Sequence, residues 1–305
     1  MKNHAFIILA HKQPALLART IRALERDNHF FFINVDKKTR DFEGFESSLG
    51  GCRNVFFFRE SVYHCGISHL YCLLKIIKQA RQNKPEIDFY HIISGQDYPL
   101  RSSECFDDFF ENNERSYMYF DNEEYLRSMK NIFVRMSQDW HLNRTGGRLR
   151  RVYNILKMPR LLGLVFRRKD NPDYYNNSGW DWFSWNKKVV DYVFRYLDKN
   201  PDYIKRYNHT VTPTEHIFHA ILGPVCNELQ IEKMEPLRFV SWNPQRPVKT
   251  SYRPYNLTHE DYDKVINSRA FFCRKVDEQE SSKLLDMIDS QRMTPYNLKE
   301  HTNFI

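Results

Sequence analysis

The chain has 305 residues, of which 41% are hydrophobic, 15% aromatic and 28% charged, and its net charge is +8. This composition is typical of a globular protein with a full core and excludes a low-complexity chain and a disulfide-dense module. The positive charge favours an anionic partner, yet the sequence carries no motif of specific DNA recognition, so nucleic acid is not expected to bind. The six cysteines lack the spacing of a zinc site, which predicts reduced and mostly buried thiols.

The first hundred residues alternate buried apolar runs with stretches of helical periodicity. The predicted strands are 5–10, 30–35, 55–58 and 89–93, and the predicted helices are 14–24 and 67–79. Strands that alternate with helices indicate an α/β fold with a mostly parallel central sheet and flanking helices.

Polar turns follow three of these strands directly. They are His11-Lys12, Asp36-Lys37 and the turn Ser94-Gly95-Gln96-Asp97. Because parallel strands end at one edge of a sheet, the three turns are expected to line one ligand crevice. Each turn on its own is equally consistent with an ordinary strand end, since Gly and Asp favour turns for local reasons.

Residues 101–175 are predicted to be a helical, basic insertion. Nine basic and no acidic residues fall between Trp140 and Lys169. The segment 144–169 is therefore either a surface that contacts a membrane or a helix with a solvated basic face. The N-terminal apolar run is too short for a membrane span or signal peptide, so a cytoplasmic protein is expected, alternatively one held peripherally at the inner face of the membrane.

The remaining chain continues the alternation without a linker or repeat. Helices are predicted at 189–197, 213–222, 261–266 and 282–288, and a short strand at 239–242. One domain is therefore expected over residues 1–305. Its parts are a nucleotide-binding half over 1–100, the insertion over 101–175, and an acceptor and catalytic half over 176–305.

Glu215 and the pair Arg274-Lys275 are the charged side chains with the clearest chemical use. Glu215 lies in the first turn of a predicted helix, where it either accepts a proton from a hydroxyl or complements the helix dipole. Lys275 follows an apolar run, and Arg253 precedes it in a Pro-containing loop. Such cations either stabilise a diphosphate or are ordinary solvated charges.

A metal-dependent alternative rests on one Asp-x-Asp pair, Asp261 and Asp263. Carboxylates at this spacing can hold a divalent metal and a diphosphate, but their place at a helix start also fits dipole complementarity. The sequence contains no GxGxxG, Walker A, GxSxG or HExxH motif, which argues against dinucleotide, P-loop, hydrolase and zincin chemistry.

In order along the chain, several segments resemble the family of core-2/I-branching β-1,6-N-acetylglucosaminyltransferases, a glycosyltransferase family 14 type with peptide O-xylosyltransferase relatives. The segment with the most specific match is Ser94-Gly95-Gln96-Asp97-Tyr98-Pro99-Leu100. The others are 7–12, 31–38, 61–68, 177–179 with Trp182, 212–216, 239–242 and 271–275.

The resemblance implies a GT-A-like fold, an inverting mechanism and no metal or other cofactor. By analogy Glu215 is the base, while Lys275 and Arg253 hold the UDP diphosphate, with Arg246 or Lys249 as substitutes for Arg253. The implied uridine contacts are His11, Asp36 and Tyr63. The implied donor and acceptor pocket is Ser94, Gly95, Asp97, Gly179, Trp182 and Trp242, of which Trp242 stacks on the acceptor sugar.

The expected function is transfer of N-acetylglucosamine or xylose from a UDP-sugar to a hydroxyl of a glycan or lipid-linked glycan, in surface polysaccharide or glycolipid synthesis. The alternative is a non-catalytic glycan- or phospholipid-binding protein on the same fold. A base on the acceptor side and cations on the leaving-group side suffice for a single displacement, so the transferase interpretation requires only Glu215 and two cations.

Overall fold

The computed structural model describes residues 1–121, 177–208, 212–233, 237–242 and 254–292. Its strands are β1 (His4–Ala10), β2 (His29–Val35), β3 (Val55–Phe58), β4 (Phe89–Ser94), β5 (Asp97–Pro99), β6 (Ser116–Phe120), β7 (Gly179–Asn186), β8 (Ile231–Glu232), β9 (Arg238–Val240) and β10 (Phe272–Arg274). Its α-helices are α1 (Pro14–Leu24), α2 (Phe42–Leu49), α3 (Ile67–Asn83), α4 (Ser103–Glu111), α5 (Lys187–Lys199), α6 (Thr214–Leu222), α7 (Tyr262–Ile266) and α8 (Ser282–Arg292).

A seven-stranded sheet with the order β3-β2-β1-β4-β7-β6-β8 forms the centre of the molecule. The first four strands in this order are parallel, as predicted. The sheet as a whole is mixed, because β7 runs antiparallel to both β4 and β6, whereas β8 pairs parallel with β6. The chain enters β7 at the edge where β1, β2 and β4 end, so the first residues of β7 lie beside the predicted crevice.

Helices cover both faces of this sheet. On one face α3, α5 and α6 pack onto the sheet, with Leu73, Val193 and Phe218 in the shared core. On the other face α1, α2 and α4 pack, with Ile21 and Phe106 in the core. Burial on both faces explains why β1, β2 and β4 are continuous apolar runs instead of alternating patterns.

The predicted strands and helices of the first hundred residues are all present, most with ends shifted by one residue or less. The main extension is α3, which continues from the predicted end at 79 to Asn83. The expected helical segment 101–175 is helical in α4, but residues 116–120 form the strand β6 of the central sheet. Residues 122–176, with the basic segment 144–169, lie outside the described part of the chain.

A small three-stranded sheet with the order β5-β10-β9 lies beside the main one. Strand β10 pairs antiparallel with β5, which places Arg274 opposite Asp97, and parallel with β9. Its core includes Tyr98, Leu257 and Leu284. Among the described helices, none has the length and apolar character needed to cross a membrane.

The buried carboxylate of Asp97 joins the two sheets. Arg238 Nε donates to its Oδ1 at 2.7 Å, Arg274 Nη1 to its Oδ2 at 3.1 Å, and the backbone N–H of Ser94 to Oδ2 at 2.6 Å. Burial by itself would raise the pKa of Asp97, but the two guanidinium groups and the bonds from Ser94 outweigh it and hold this pKa below its usual value.

We expect Asp97→Asn to lower the free energy of unfolding by about 3 kcal/mol or more, because two cations would lose their buried counter-charge. Urea denaturation measures this loss. Asp191→Asn is the matched control, since Asp191 pairs with Arg81 on a partly exposed surface and should cost less than about 1 kcal/mol. If both variants lose the same free energy of unfolding, Asp97 contributes no more to stability than an ion pair on the surface.

Candidate active site

The polar turns predicted to share one edge do meet there. The N–H of Asp36 donates to the carbonyl of Ala10 at 2.9 Å, and the N–H of Gly95 donates to the carbonyl of Leu9 at 3.0 Å. The ends of β2 and β4 are thereby tied to the end of β1, where His11 begins the next turn. The prediction that these turns share one edge of the sheet is therefore confirmed, and the ligand crevice stays a prediction.

The side chains expected at the uridine lie around Lys38, a residue that the sequence analysis did not select. Lys38 Nζ donates to Asp36 Oδ2 at 2.8 Å and to the carbonyl of Val62 at 2.6 Å, and it lies 4.1 Å from the centre of the Tyr63 ring. The structure thus brings Asp36 and Tyr63 together, with an ammonium group between them.

His11 links these groups to Lys275. Burial, followed by the charge of Lys12, lowers the pKa of His11, and Lys275 and Lys38 lower it further, while Asp36 opposes the shift. Lys275 and Asp36 are therefore both close enough to His11 for their charges to affect its pKa.

Hydrogen bonds join the turn after β4 to the segment that carries Lys275. The N–H of Val276 donates to the carbonyl of Gln96 at 3.0 Å, and Gln96 Nε2 donates back to the carbonyl of Val276 at 3.2 Å. The Ser94 hydroxyl accepts hydrogen bonds from Arg274 and from the N–H of Gln96. Lys275 lies between these contacts, so the turn holds its backbone in place.

Two tryptophans expected in the pocket have different surroundings. The ring of Trp182 is half-buried and lies 4.2 Å from the guanidinium carbon of Arg274 and 5.4 Å from that of Arg238. Trp242 is 48% exposed and follows β9, whose Val240 pairs with Arg274. Trp182 therefore supports the arginines, whereas Trp242 presents an open aromatic surface near the Lys275 segment.

Glu215 lies half-buried in the first turn of α6, next to a second carboxylate. Asp181 Oδ2 accepts a hydrogen bond from Thr214 Oγ1 at 3.0 Å. Burial raises the pKa of Glu215 to about 8, with further increases from the charges of Asp181 and Asp121, while a hydrogen bond from the Thr212 side chain opposes the shift. A carboxyl group with this pKa is mostly protonated at pH 7 and can accept a proton from a hydroxyl as the pH approaches 8.

Strand β7 connects the acidic and the cationic sides of the site. Successive residues of a strand point to opposite faces. Asp181 accordingly contacts Thr214 on the α6 side, with His69 of α3 at 3.8 Å, while the neighbouring Trp182 contacts Arg274 on the other side. Two adjacent residues of one strand thus join the carboxylates to the cations of the second sheet.

Gly179 has a packing role. A Cβ built at Gly179 would lie 1.9 Å from the carbonyl oxygen of Tyr119 and 2.5 Å from His219 Nε2, whereas one built at Gly95 would meet nothing closer than Ala10 Cβ at 3.1 Å. His219 Nε2 donates to this Tyr119 carbonyl at 3.0 Å. Burial lowers the pKa of His219 to about 3, so its ring is neutral. Gly179 therefore allows α6 to approach the sheet closely.

Arg274 was considered together with Lys275, either as a diphosphate cation or as a solvated charge, and the structure pairs it with Asp97. Three other residues that contribute to the site were not selected from the sequence. Asp181 had a signal, since it is an isolated acid in an aromatic run. Lys38 follows Asp36 in a matched segment. Arg238 gave no clear signal, because its partner Asp97 is 141 residues away.

Arg253, the expected second cation, lies outside the described residues, as do its substitutes Arg246 and Lys249.

Of the Asp-x-Asp pair, Asp261 is occupied in helix capping. It accepts a hydrogen bond from the N–H of Thr258 at 2.8 Å and another from the Tyr255 hydroxyl at 2.9 Å, and it is buried. Asp263 is exposed at the start of α7. These contacts favour the dipole and capping interpretation of this pair over a metal site.

Comparison with known proteins gives one family. Residues 4–266 match the family described as Core-2/I-Branching enzyme. Xylosyltransferase 1 of Rattus norvegicus is 24% identical over 314 residues, which cover 94% of this chain and 35% of that protein. Xylosyltransferase 2 of Homo sapiens is 23% identical over 313 residues, which cover 93% of this chain and 33% of that protein. The chain spans about a third of the length of these relatives.

We expect Gly179→Ala to lower the free energy of unfolding by about 2 kcal/mol or more, because the added methyl group would collide with the Tyr119 carbonyl and His219. Gly95→Ala is the matched control and should cost less than about 1 kcal/mol, since its methyl group only touches that of Ala10. Urea denaturation of both variants tests this difference. A smaller loss for Gly179→Ala than for Gly95→Ala would contradict the packing role.

Proposed function

Because this chain belongs to the Core-2/I-branching enzyme family of glycosyltransferases, we propose that it moves a sugar from a UDP-sugar to a hydroxyl of a glycan acceptor, with inversion and without a catalytic metal. N-acetylglucosamine and xylose are both candidate sugars, and the acceptor is a surface glycan or lipid-linked glycan. The observation that carries the proposal is Glu215, whose pKa is raised to about 8 beside Asp181, at the edge of the sheet where Lys275 also lies.

On the donor side, the uridine binds at the ends of β1 and β2. Asp36 accepts from the nucleoside, Tyr63 stacks on the base, and His11 lines the same edge. Lys38 covers Tyr63 and pairs with Asp36 in this structure, so it moves aside or contacts the nucleotide when the donor binds. Lys275 binds the diphosphate, and the hydrogen bonds between Val276 and Gln96 hold its segment beside the turn after β4.

On the acceptor side, Glu215 takes the proton of the attacking hydroxyl. The acceptor oxygen then forms a bond to the anomeric carbon as the bond to the UDP oxygen breaks, and configuration inverts. Lys275 neutralises the negative charge that develops on UDP, with Arg253 as the second cation. The exposed ring of Trp242 offers a stacking surface for the acceptor sugar.

Asp181 adds to the effect of burial on the base. Its negative charge raises the pKa of Glu215 further, and the charge of Asp121 acts in the same direction. The base is active when deprotonated, and transfer therefore rises with pH through the pKa of Glu215. The hydroxyl of Thr214 keeps Asp181 oriented towards α6.

We expect the pH profile of kcat/KM to have an acidic limb near pH 8, far above the usual range of a glutamate. Asp181→Asn should move this limb to lower pH, because it removes a negative charge that raises the pKa of Glu215. Glu215→Gln should lower transfer by about 100-fold to 10,000-fold.

Asp263→Asn is the control for this profile, since Asp263 is exposed on α7 and should affect neither the limb nor the rate. A profile unchanged by Asp181→Asn would remove the carboxylate pair from the mechanism. A large loss of activity in Asp263→Asn, together with inhibition by a chelator, would instead support the metal-dependent alternative.

We expect UDP to bind in the presence of excess EDTA, with an affinity that falls about 10-fold or more in Lys275→Ala, because one charge-assisted contact to the diphosphate is lost. Isothermal titration calorimetry measures this. Lys264→Ala, an exposed lysine of α7, is the matched control and should leave the affinity unchanged. Binding that needs manganese would contradict the cation mechanism. UDP binding without any transfer, whatever the residue at 215, would favour a non-catalytic binding protein.

A further inference from the structure

A buried cluster of imidazoles and a carboxylate lies at the opposite edge of the central sheet. His4 is the first residue of β1, His29 is the first of β2, and Asp107 lies on α4. Both histidines are fully buried and Asp107 is 5% exposed. At about 3.3 Å per residue, the length of β1 separates this cluster from the candidate active site by about 20 Å. The cluster therefore takes no part in the chemistry proposed above.

One ligand atom of each side chain converges on a single point. His29 Nε2 lies 2.7 Å from Asp107 Oδ1, His4 Nε2 lies 3.7 Å from the same oxygen, and the three atoms are all within 4.8 Å of one another. Ligands about 2.0–2.1 Å from a tetrahedral zinc ion are about 3.3 Å apart. The two measured distances lie on either side of this value.

The other nitrogen of His29 shows that a positive charge is needed here. His29 Nδ1 contacts the carbonyl of Leu24, which can only accept, so this nitrogen carries a proton. In a neutral ring Nε2 then has a bare lone pair, and it faces a carboxylate oxygen of Asp107 that also has only lone pairs. Either a proton or a metal ion must lie between the two atoms.

His4 has a hydrogen-bond partner, His91, that can leave the Nε2 lone pair of His4 directed at the cluster. Its Nδ1 lies 3.0 Å from His91 Nε2, and His91 Nδ1 lies 2.9 Å from Ser184 Oγ. When His4 donates to His91 and His91 donates to Ser184, His4 Nε2 is left with a lone pair directed at the cluster. Metal-binding histidines commonly donate their second N–H in this way.

Two further contacts orient the carboxylate of Asp107. Arg26 Nε lies 2.7 Å from Oδ2, and Asn28 Nδ2 donates to Oδ1 at 3.3 Å as well as to the carbonyl of Lys2 at 2.7 Å. The buried Nε2 of His4 has no hydrogen-bond partner among the described residues. An unpaired buried nitrogen is costly, and this one lies 3.7 Å from Asp107 Oδ1.

We propose that His4, His29 and Asp107 bind a divalent transition-metal ion of the zinc type, with a water as the fourth ligand. Two imidazoles and one carboxylate suit zinc rather than magnesium or calcium, which prefer oxygen ligands alone. The ion would replace the proton between His29 and Asp107. It would fasten α4 to the starts of β1 and β2, so its role is structural.

The test uses the full chain, freed of metal with a chelator and then titrated with Co²⁺ and Zn²⁺. We expect about one equivalent of tightly bound metal, visible Co²⁺ absorption of a four-coordinate site that Zn²⁺ abolishes, and a thermal midpoint raised by about 4 °C at a hundredfold excess over Kd. His4→Phe and Asp107→Asn should lose the absorption. His216→Gln, which replaces a buried histidine outside the cluster, should keep it, as should Glu215→Gln.

If the variants do not fold, the metal stoichiometry and the Co²⁺ spectrum of the wild-type chain decide the test. A wild-type chain that binds neither ion would overturn the proposal and assign the position to a proton on His29. So would binding that His4→Phe and Asp107→Asn retain, because the ion would then be held elsewhere. Neither result bears on UDP binding or on Glu215, so the proposed function is tested separately.

Discussion

The carboxylate of Asp97 is the interaction on which the arrangement of the site depends. A fully buried acid is tolerated only when cations and N–H groups satisfy it, and Arg238, Arg274 and Ser94 do so. To reach it, the two arginines must come from neighbouring strands, β9 and β10, which therefore lie against the turn after β4. The same contact holds Lys275 at the edge of the central sheet. A fully buried carboxylate thus determines where Lys275 lies.

The site separates charge along one strand. The carboxylates Asp181 and Glu215 lie towards α6, where burial and mutual repulsion raise the pKa of Glu215 to about 8. Trp182, the next residue, packs against the guanidinium of Arg274 on the other side. A displacement at an anomeric carbon needs this polarity, with a base on the acceptor side and positive charge on the leaving side. The polar turns lie at the end of β1, and the histidine cluster lies at its start.

Part of the site could be predicted from sequence, because strand ends are local features. His11, Asp36 and Ser94 follow continuous apolar runs, and parallel strands place such turns at one edge. The resemblance supplied Glu215 and Lys275, whose roles stay predictions. Gly179 and Trp182 lie near the expected place, yet their contacts are packing against His219 and stacking on an arginine. Such contacts depend on which surfaces meet, and no local pattern encodes them.

The sequence by itself determined β1 to β4, most of the helices, their order and the edge where polar turns collect, because periodicities of 2 and 3.6 residues and helix-terminating residues act over short distances. It did not predict α2, β6 or β7. Only the tertiary structure decided that β7 runs antiparallel and that Asp97 pairs with Arg238, 141 residues away. It also brought His4, His29 and Asp107 to one point. The physical reason is that strand order and register decide which distant charges are buried together, and the stability of a buried charge depends on its partners.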